Sequence, residues 1–360
     1  MRPIADPPAR LASVDALRGI TVAAMLLVNN PGDWGHVYAP LLHAPWHGCT
    51  PTDLIFPFFL FIVGVSIALA VLPRAEAGAA RGALLRAVLV RGAKIAGIGL
   101  LLHALAWWWL DLAHYRPWGV LQRIGLCFAA AGALALHARP RAQAVLIAVL
   151  LLGYGALLAT GGGYAPWDNL ASRLDTALLG PHLYQFDPST GRGQDPEGLL
   201  GTLPALATTL IGVRAGDWLR TGRARRLLPA AALALAGGAL WSLWMPLNKS
   251  LWTSSYVLWT AGWALLALWL AHALIDRRRW PALGRRFGVN AIAAYAGSAV
   301  MVYALAGLGW TQPLYQAAFA GWMAPRFGPY LPSLAYALAF VALWWAIVGW
   351  LDRRRCYLKV

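Results

Sequence analysis

Apolar runs of about 17 to 25 residues recur along the whole chain, the length at which an α-helix crosses the hydrocarbon core of a bilayer. No other feature narrows the fold so far. Taken in order, the runs fall at roughly 13–30, 52–72, 84–107, 118–137, 142–160, 198–219, 227–245, 252–275, 286–307 and 331–351. With 59% of its 360 residues apolar and only 12% charged, the chain reads as all-α: a polytopic integral membrane helical bundle of about ten transmembrane helices.

The formal net charge of +16 invites a nucleic-acid partner, but the basic residues lie in short clusters between spans. That pattern orients helices and predicts no nucleic acid. One side collects Arg2, Arg10 and Arg18; Arg74, Arg81, Arg86, Arg91 and Lys94; Arg139 and Arg141; and Arg214, Arg220, Arg223, Arg225 and Arg226. Arg277, Arg278, Arg279, Arg285, Arg286, Arg353, Arg354, Arg355 and Lys359 join them, leaving Arg116, Arg123, Arg173, Arg192, Lys249 and Arg326 opposite. The bias predicts both termini in the cytoplasm and the loop after the first span outside. Cys49, Cys127 and Cys356 are scattered, so neither a disulfide framework nor a metal site is expected. There is no Walker sequence or dinucleotide fingerprint.

Between the first two spans, the stretch Asn29 to Gly64 gathers His36, His43 and His47 with Asp33 and Asp53. Titratable residues at the mouth of a membrane segment mark a site by default. The first span ends Asn29-Asn30-Pro31-Gly32, where an amide either meets a substrate carbonyl or caps neighbouring backbone. Thr50 or Thr52 can cap the second span with Asp53 in its first turn, where an acid complements the helix dipole. With His43 in reach, the same carboxylate would fix the ring tautomer and make the free nitrogen a better base or nucleophile. At the head of the first span, Ser13 is expected as N-cap, with an Asp15–Arg18 pair one turn on.

Further polar residues interrupt apolar surroundings: Gln122 and Arg123 in the fourth span, Asn248 and Lys249 just past the seventh, and Asn290 early in the ninth. Singly, Arg and Lys near span ends snorkel to the headgroups. Together the five residues would line a polar cavity reaching in from the outer face. Trp107 to Trp109 and Trp344 to Trp345 read as interfacial anchors. The outer segment from Gly161 to Pro196 carries Trp167, Asp168, Asp175, His182, Tyr184, Asp187 and Asp195, a composition suited to recognising a sugar or an amine, or to forming a lid.

Five collinear blocks then carry a resemblance: SVDALRGI with LLVNNPG, HAPWHGCTPTDLIFPFFLFIVGVSI, WGVLQRIGLCF, DPEGLLGTLPALATTLIGVRAG and MPLNKSLWTSSYVLWTAG. In order and content they resemble the heparan-α-glucosaminide N-acetyltransferase family and its bacterial relatives. The resemblance implies a single transmembrane acyltransferase domain over residues 1–360, with an outer active-site loop at 30–52 and a long outer loop at 161–197. It implies transfer of the acetyl group of cytoplasmic acetyl-CoA to the amino group of a glucosamine across a bacterial inner membrane, by a homodimer. The family's active-site histidine falls on His43 and its asparagine on Asn29, with Asp53 expected to orient His43. His47, Trp46, Gln122, Arg123, Asn248, Lys249 and Asn290 are the expected acceptor-binding set. Coenzyme A's phosphates would need a basic inner mouth, for which Arg18, Arg86, Arg91 and Lys94 are available, although topology explains the same residues. Two other classes fit the polar residues, a membrane O-acyltransferase of cell-wall or lipid glycans and a small-solute transporter.

Overall fold

The computed structural model describes residues 11–358, so Arg2, Arg10 and Lys359 lie outside the described residues. The chain runs through α1 (Ala12–Asn29), α2 (Ile55–Ala70), α3 (Leu72–Glu76), α4 (Arg81–Trp109), α5 (Val120–His137) and α6 (Pro140–Thr160). A cap follows, made of α7 (Leu170–Leu179) and the antiparallel pair β1 (Gln185–Asp187) and β2 (Arg192–Gln194). Beyond it come α8 (Thr202–Arg220), α9 (Leu227–Trp241), α10 (Ser254–Ala271), α11 (Arg285–Val289) and α12 (Ala291–Gly307). The short α13 (Thr311–Tyr315) and α14 (Gly321–Phe327) then lead into α15 (Tyr330–Arg353).

The protein is a polytopic helical membrane protein, and every one of the ten apolar runs is helical. Among the described residues, seven helical segments are long and apolar enough to cross a bilayer alone: those containing α1, α2, α4, α5, α6, α10 and α15. The chain from α12 to α14 passes the same test only as a pair bent by 100°, the shape of a broken span or a re-entrant loop. The remaining two differ from the expectation for physical reasons. The helix α9 has 15 residues, short for a span. The helix α8 carries Arg214, Asp217 and Arg220 and is buried along most of its length, with Thr208 and Thr209 wholly inside. A helix enclosed by protein has no need of a lipid-compatible surface.

Backbone-to-backbone packing holds the bundle, as small residues allow between membrane helices. A Cβ at Gly64 of α2 would stand 1.9 Å from the Thr209 carbonyl oxygen of α8, and one at Gly212 would stand 2.0 Å from that of Phe61. Gly92 of α4 and Gly125 of α5 approach each other in the same way. Trp344 departs from its expected place: it is buried against Gly297, whereas Trp345 and Trp107 to Trp109 are exposed.

Polar contacts sort the loops onto two ends. At one end Glu76 meets Arg220 at 2.6 Å, Asp276 accepts from the Ser13 backbone N–H at 3.1 Å, and Arg285 lies 3.6 Å from Asp352. Ser13 is therefore no N-cap; it sits inside α1, and its hydroxyl also bonds Asp276. The Asp15–Arg18 pair forms at 3.0 Å. At the opposite end lie residues 30–54, 110–119, 161–201 and 242–253, tied together by the contacts described next.

Candidate active site

The site begins with a short turn. Thr50 opens the one-turn helix Pro51–Leu54 ahead of α2, and Asp53 folds back so that its Oδ2 accepts from the Thr50 N–H at 2.9 Å and the Thr50 hydroxyl at 3.1 Å. This is a capping box with an acid at the third helical position. Oδ2 also accepts from the Ala44 N–H at 3.0 Å, drawing the loop that bears His43 onto the turn. The second oxygen, Oδ1, then lies 2.7 Å from His43 Nδ1. Asp53 is 1% exposed, whereas the His43 side chain is 47% exposed. A buried carboxylate thus holds Nδ1 as the protonated nitrogen and leaves Nε2 as a reachable lone pair. From α10, the Tyr256 hydroxyl donates to the Asp53 carbonyl at 2.5 Å and fixes the turn from below.

Lys249 completes the centre. Its Nζ is 3.2 Å from His43 Nε2 and 3.4 Å from Nδ1. A donor on the in-plane Nε2 lone pair would stand roughly 5 Å from Nδ1, so the near-equal distances place the amine over the ring and leave that lone pair open. The neighbouring Asn248 is fully buried: its Oδ1 accepts from the Leu251 N–H at 2.8 Å, and its Nδ2 lies 3.3 Å from His47 Nδ1. Burial lowers the His47 pKa, which favours a neutral ring that accepts at Nδ1. Gly48 N–H donates to the Leu247 carbonyl at 2.8 Å, so the His43 and Lys249 loops are joined by backbone as well. Cys49 is no rival nucleophile, because burial, helped by Asp53, pushes its thiol up to about 12.

Beneath Lys249 is a buried charge cluster. Arg116 grips Asp195 through two bonds, at 2.9 and 2.5 Å, and Glu197 at 2.7 Å. Burial works against the charge of Glu197, but Arg116, Lys249 and Arg123 together hold its carboxyl below the ordinary glutamate range. Burial raises Asp195 in spite of Arg116. Lys249, desolvated, sits below the ordinary lysine range, with Glu197 and Asp53 opposing that shift.

A family model described as heparan-alpha-glucosaminide N-acetyltransferase, catalytic, matches residues 10–245, a stretch that contains His43, Asp53, Arg116 and Glu197. The chain belongs to this family. Among curated relatives, the human heparan-alpha-glucosaminide N-acetyltransferase is 31% identical over 362 residues, covering 81% of this chain and 53% of the relative. The mouse protein of the same name is 28% identical over 364 residues, covering 81% and 54%. The chain thus spans about half the length of these heparan-alpha-glucosaminide N-acetyltransferases.

In this family member, only part of the expected set converges. His43, Asp53, His47, Asn248 and Lys249 lie together. Asn29 is exposed at the end of α1, which packs against the Asp53 turn, and it makes no side-chain hydrogen bond; Asn30 instead caps the helix through the Leu26 carbonyl at 2.7 Å. Trp46 donates to the Tyr164 carbonyl at 2.7 Å and so ties the loop to the cap. Gln122 donates to the Pro117 carbonyl at 3.1 Å. Arg123 does not snorkel. It is wholly buried, donates to the Gly198 carbonyl at 2.7 Å and lies 5.2 Å over the Trp252 ring.

Asn290 corrects the expected cavity, for it starts α12 next to α11, at the end of the bundle away from His43. A helix that starts at that end must place its early residues there. The basic set divides too. Arg18 is held among Asp15, the Gly288 carbonyl and Ser66, while Arg86, Arg91 and Lys94 lie on the exposed face of α4. Lys94 lines an open cleft of about 650 Å³ with Gly97, Leu101 and Tyr115. The residue that sequence reasoning passed over is Glu197. Its signal was an acid directly before an apolar run, in a chain with only 14 acids.

Proposed function

We propose that this chain is a membrane N-acetyltransferase that moves the acetyl group of acetyl-CoA to the amino group of glucosamine or a terminal glucosamine residue, with His43 as base or acyl carrier. The observation that carries the reading is the His43–Asp53 pair: a buried carboxylate fixing one ring nitrogen, with the other open at the mouth of the bundle. Acyl transfer from a thioester to an amine needs a group to take the amine's proton or to hold the acyl group between two steps. Nε2 serves either use. Asn29, free on the neighbouring helix end, is read as the amide that orients the acetyl carbonyl. The clustering of basic residues supports an arrangement with acetyl-CoA arriving from the cytoplasm and the acceptor on the outer side.

The test is acetylation of glucosamine by the purified protein in detergent with acetyl-labelled acetyl-CoA. Wild type should transfer label, and His43→Ala should lose about 10²–10⁴-fold in rate. Near-normal transfer by a folded His43→Ala variant would remove His43 from the centre. Transfer to hydroxyl acceptors but to no amino sugar would redirect the assignment to O-acylation.

A further inference from the structure

Lys249 Nζ lies beside the position that an acceptor's amine has to take. An acceptor nitrogen must reach the in-plane lone pair of His43 Nε2 to give up its proton, and Nζ, 3.2 Å from Nε2 over the ring face, comes to it by a short swing of its own side chain. The residue is anchored through its backbone and its neighbour. Its backbone carbonyl accepts from the Trp252 N–H at 3.1 Å, and the adjoining Asn248 is bonded to Leu251, Thr253 and His47. Four groups face it: His43 and Asp53 from the outer loop, Glu197 from the segment ahead of α8, and Arg123 from α5. Burial lowers the pKa of Nζ, so more of it is free amine than in an exposed lysine. A primary amine that is partly unprotonated and set against the imidazole has what an acetyl acceptor needs.

We propose that Lys249 is an internal acetyl acceptor: when no amino sugar occupies the site, the enzyme transfers the acetyl group of acetyl-CoA to Lys249 Nζ as an amide. The inference rests on the acetyltransferase reading above. In the step, Nζ first sheds one proton to solvent by way of His43 Nε2. The amine then attacks the thioester carbonyl, the carbon–nitrogen bond forms and the carbon–sulfur bond breaks. The second Nζ proton passes through Nε2 to the leaving thiolate, so one acetyl-CoA and one lysine ammonium give acetyl-lysine, coenzyme A thiol and one proton. If His43 carries the acetyl group, the same balance holds in two transfers. The product amide has no charge for Glu197 to attract, and its methyl group fills space beside Nε2. Donor turnover without acceptor thereby shuts the site, and an amino sugar protects it by standing where Nζ would react.

The experiment uses the full chain in detergent with acetyl-labelled acetyl-CoA and no acceptor, followed by neutral hydroxylamine, digestion and mass mapping. Hydroxylamine strips an acyl-imidazole and leaves an amide. The expected result is hydroxylamine-resistant acetyl on the Lys249 peptide, reduced at least severalfold by added glucosamine and lost in His43→Ala and Lys249→Arg. Site mapping on wild type stands even where a variant fails to fold. Acetylation of glucosamine with an unmodified Lys249 would overturn this inference and leave the proposed function intact. Lys249 acetylated equally in a folded His43→Ala variant would also overturn it, since the chemistry would then be uncatalysed. Neither glucosamine nor Lys249 acetylated would bring down both readings.

Discussion

Asp53 serves two partners with one carboxylate, and that division makes it a sharper probe than His43. Its Oδ2 accepts from backbone at Thr50 and Ala44, while Oδ1 faces His43 Nδ1. In Asp53→Asn, the amide oxygen must stay on the backbone donors or leave them unpaired, so the NH₂ turns to the ring. Nδ1 then has to accept, the proton moves to Nε2, and the reactive lone pair is lost. The expected loss is about 10²–10⁴-fold in kcat, by analogy with an Asp to Asn change behind a catalytic histidine. The fold should lose only about 1 kcal/mol, the scale of a weakened cap. Kinetics beside a thermal melt check both figures, and a variant with wild-type kcat would sink the tautomer argument. The His43–Asp53 relation was legible in the sequence because both residues sit in one loop and the turn residues between them are diagnostic. Glu197 was not, because its ion pair with Arg116 depends on which segments adjoin, and a single sequence does not display that.

Among elements, the bundle depends on contacts that leave no room for a side chain. At Gly64, a Cβ would strike the Thr209 carbonyl oxygen, which belongs to rigid helix backbone, so α2 and α8 would have to separate. Gly64→Ala is expected to cost about 1–3 kcal/mol, the usual range for overpacking a filled core. Gly153→Ala on α6, where nothing lies within 4 Å, serves as the control and should be neutral or slightly stabilising. Melting in detergent, followed by tryptophan fluorescence, separates the two variants; equal midpoints would show that α2 and α8 yield more easily than their geometry indicates. The same closeness explains which helices the sequence revealed. Apolar length announces helices that meet lipid, such as α4 and α6, whereas α8 is screened by its neighbours and can hold Thr208, Thr209 and Asp217. The 100° bend after α12 and the small β-pair of the cap depend on tertiary packing and have no periodic signature.

At the scale of the molecule, the cap and the bundle share one electrostatic system, and Asp175 couples it to pH. This residue of α7 is 1% exposed and accepts from the Leu199 N–H at 2.9 Å, fastening α7 to the chain that leads into α8. Burial raises its pKa to about 7, helped by nearby Asp195 and opposed by the Leu199 bond and Arg123. The docked cap therefore holds a proton that an undocked cap releases near the ordinary aspartate value. Stability is full at acid pH, falls as pH rises towards 7 by up to about 1.4 kcal/mol per pH unit, and levels off above that. Asp195, also raised, acts in the same direction, while Glu197, held low, acts in the opposite one. Hydrogen exchange over residues 170–179, corrected for intrinsic rates, should show weaker protection at pH 8 than at pH 5, by up to roughly 10²-fold. Asp175→Asn keeps the shape and the acceptor without the titration, so most of that difference should vanish. An unchanged pH dependence in the variant would assign the effect to the Arg116 cluster instead. Because Arg116 and Glu197 lead from the cap to Lys249, a loosened cap at high pH should also reach His43, lowering acetyl transfer more in wild type than in Asp175→Asn.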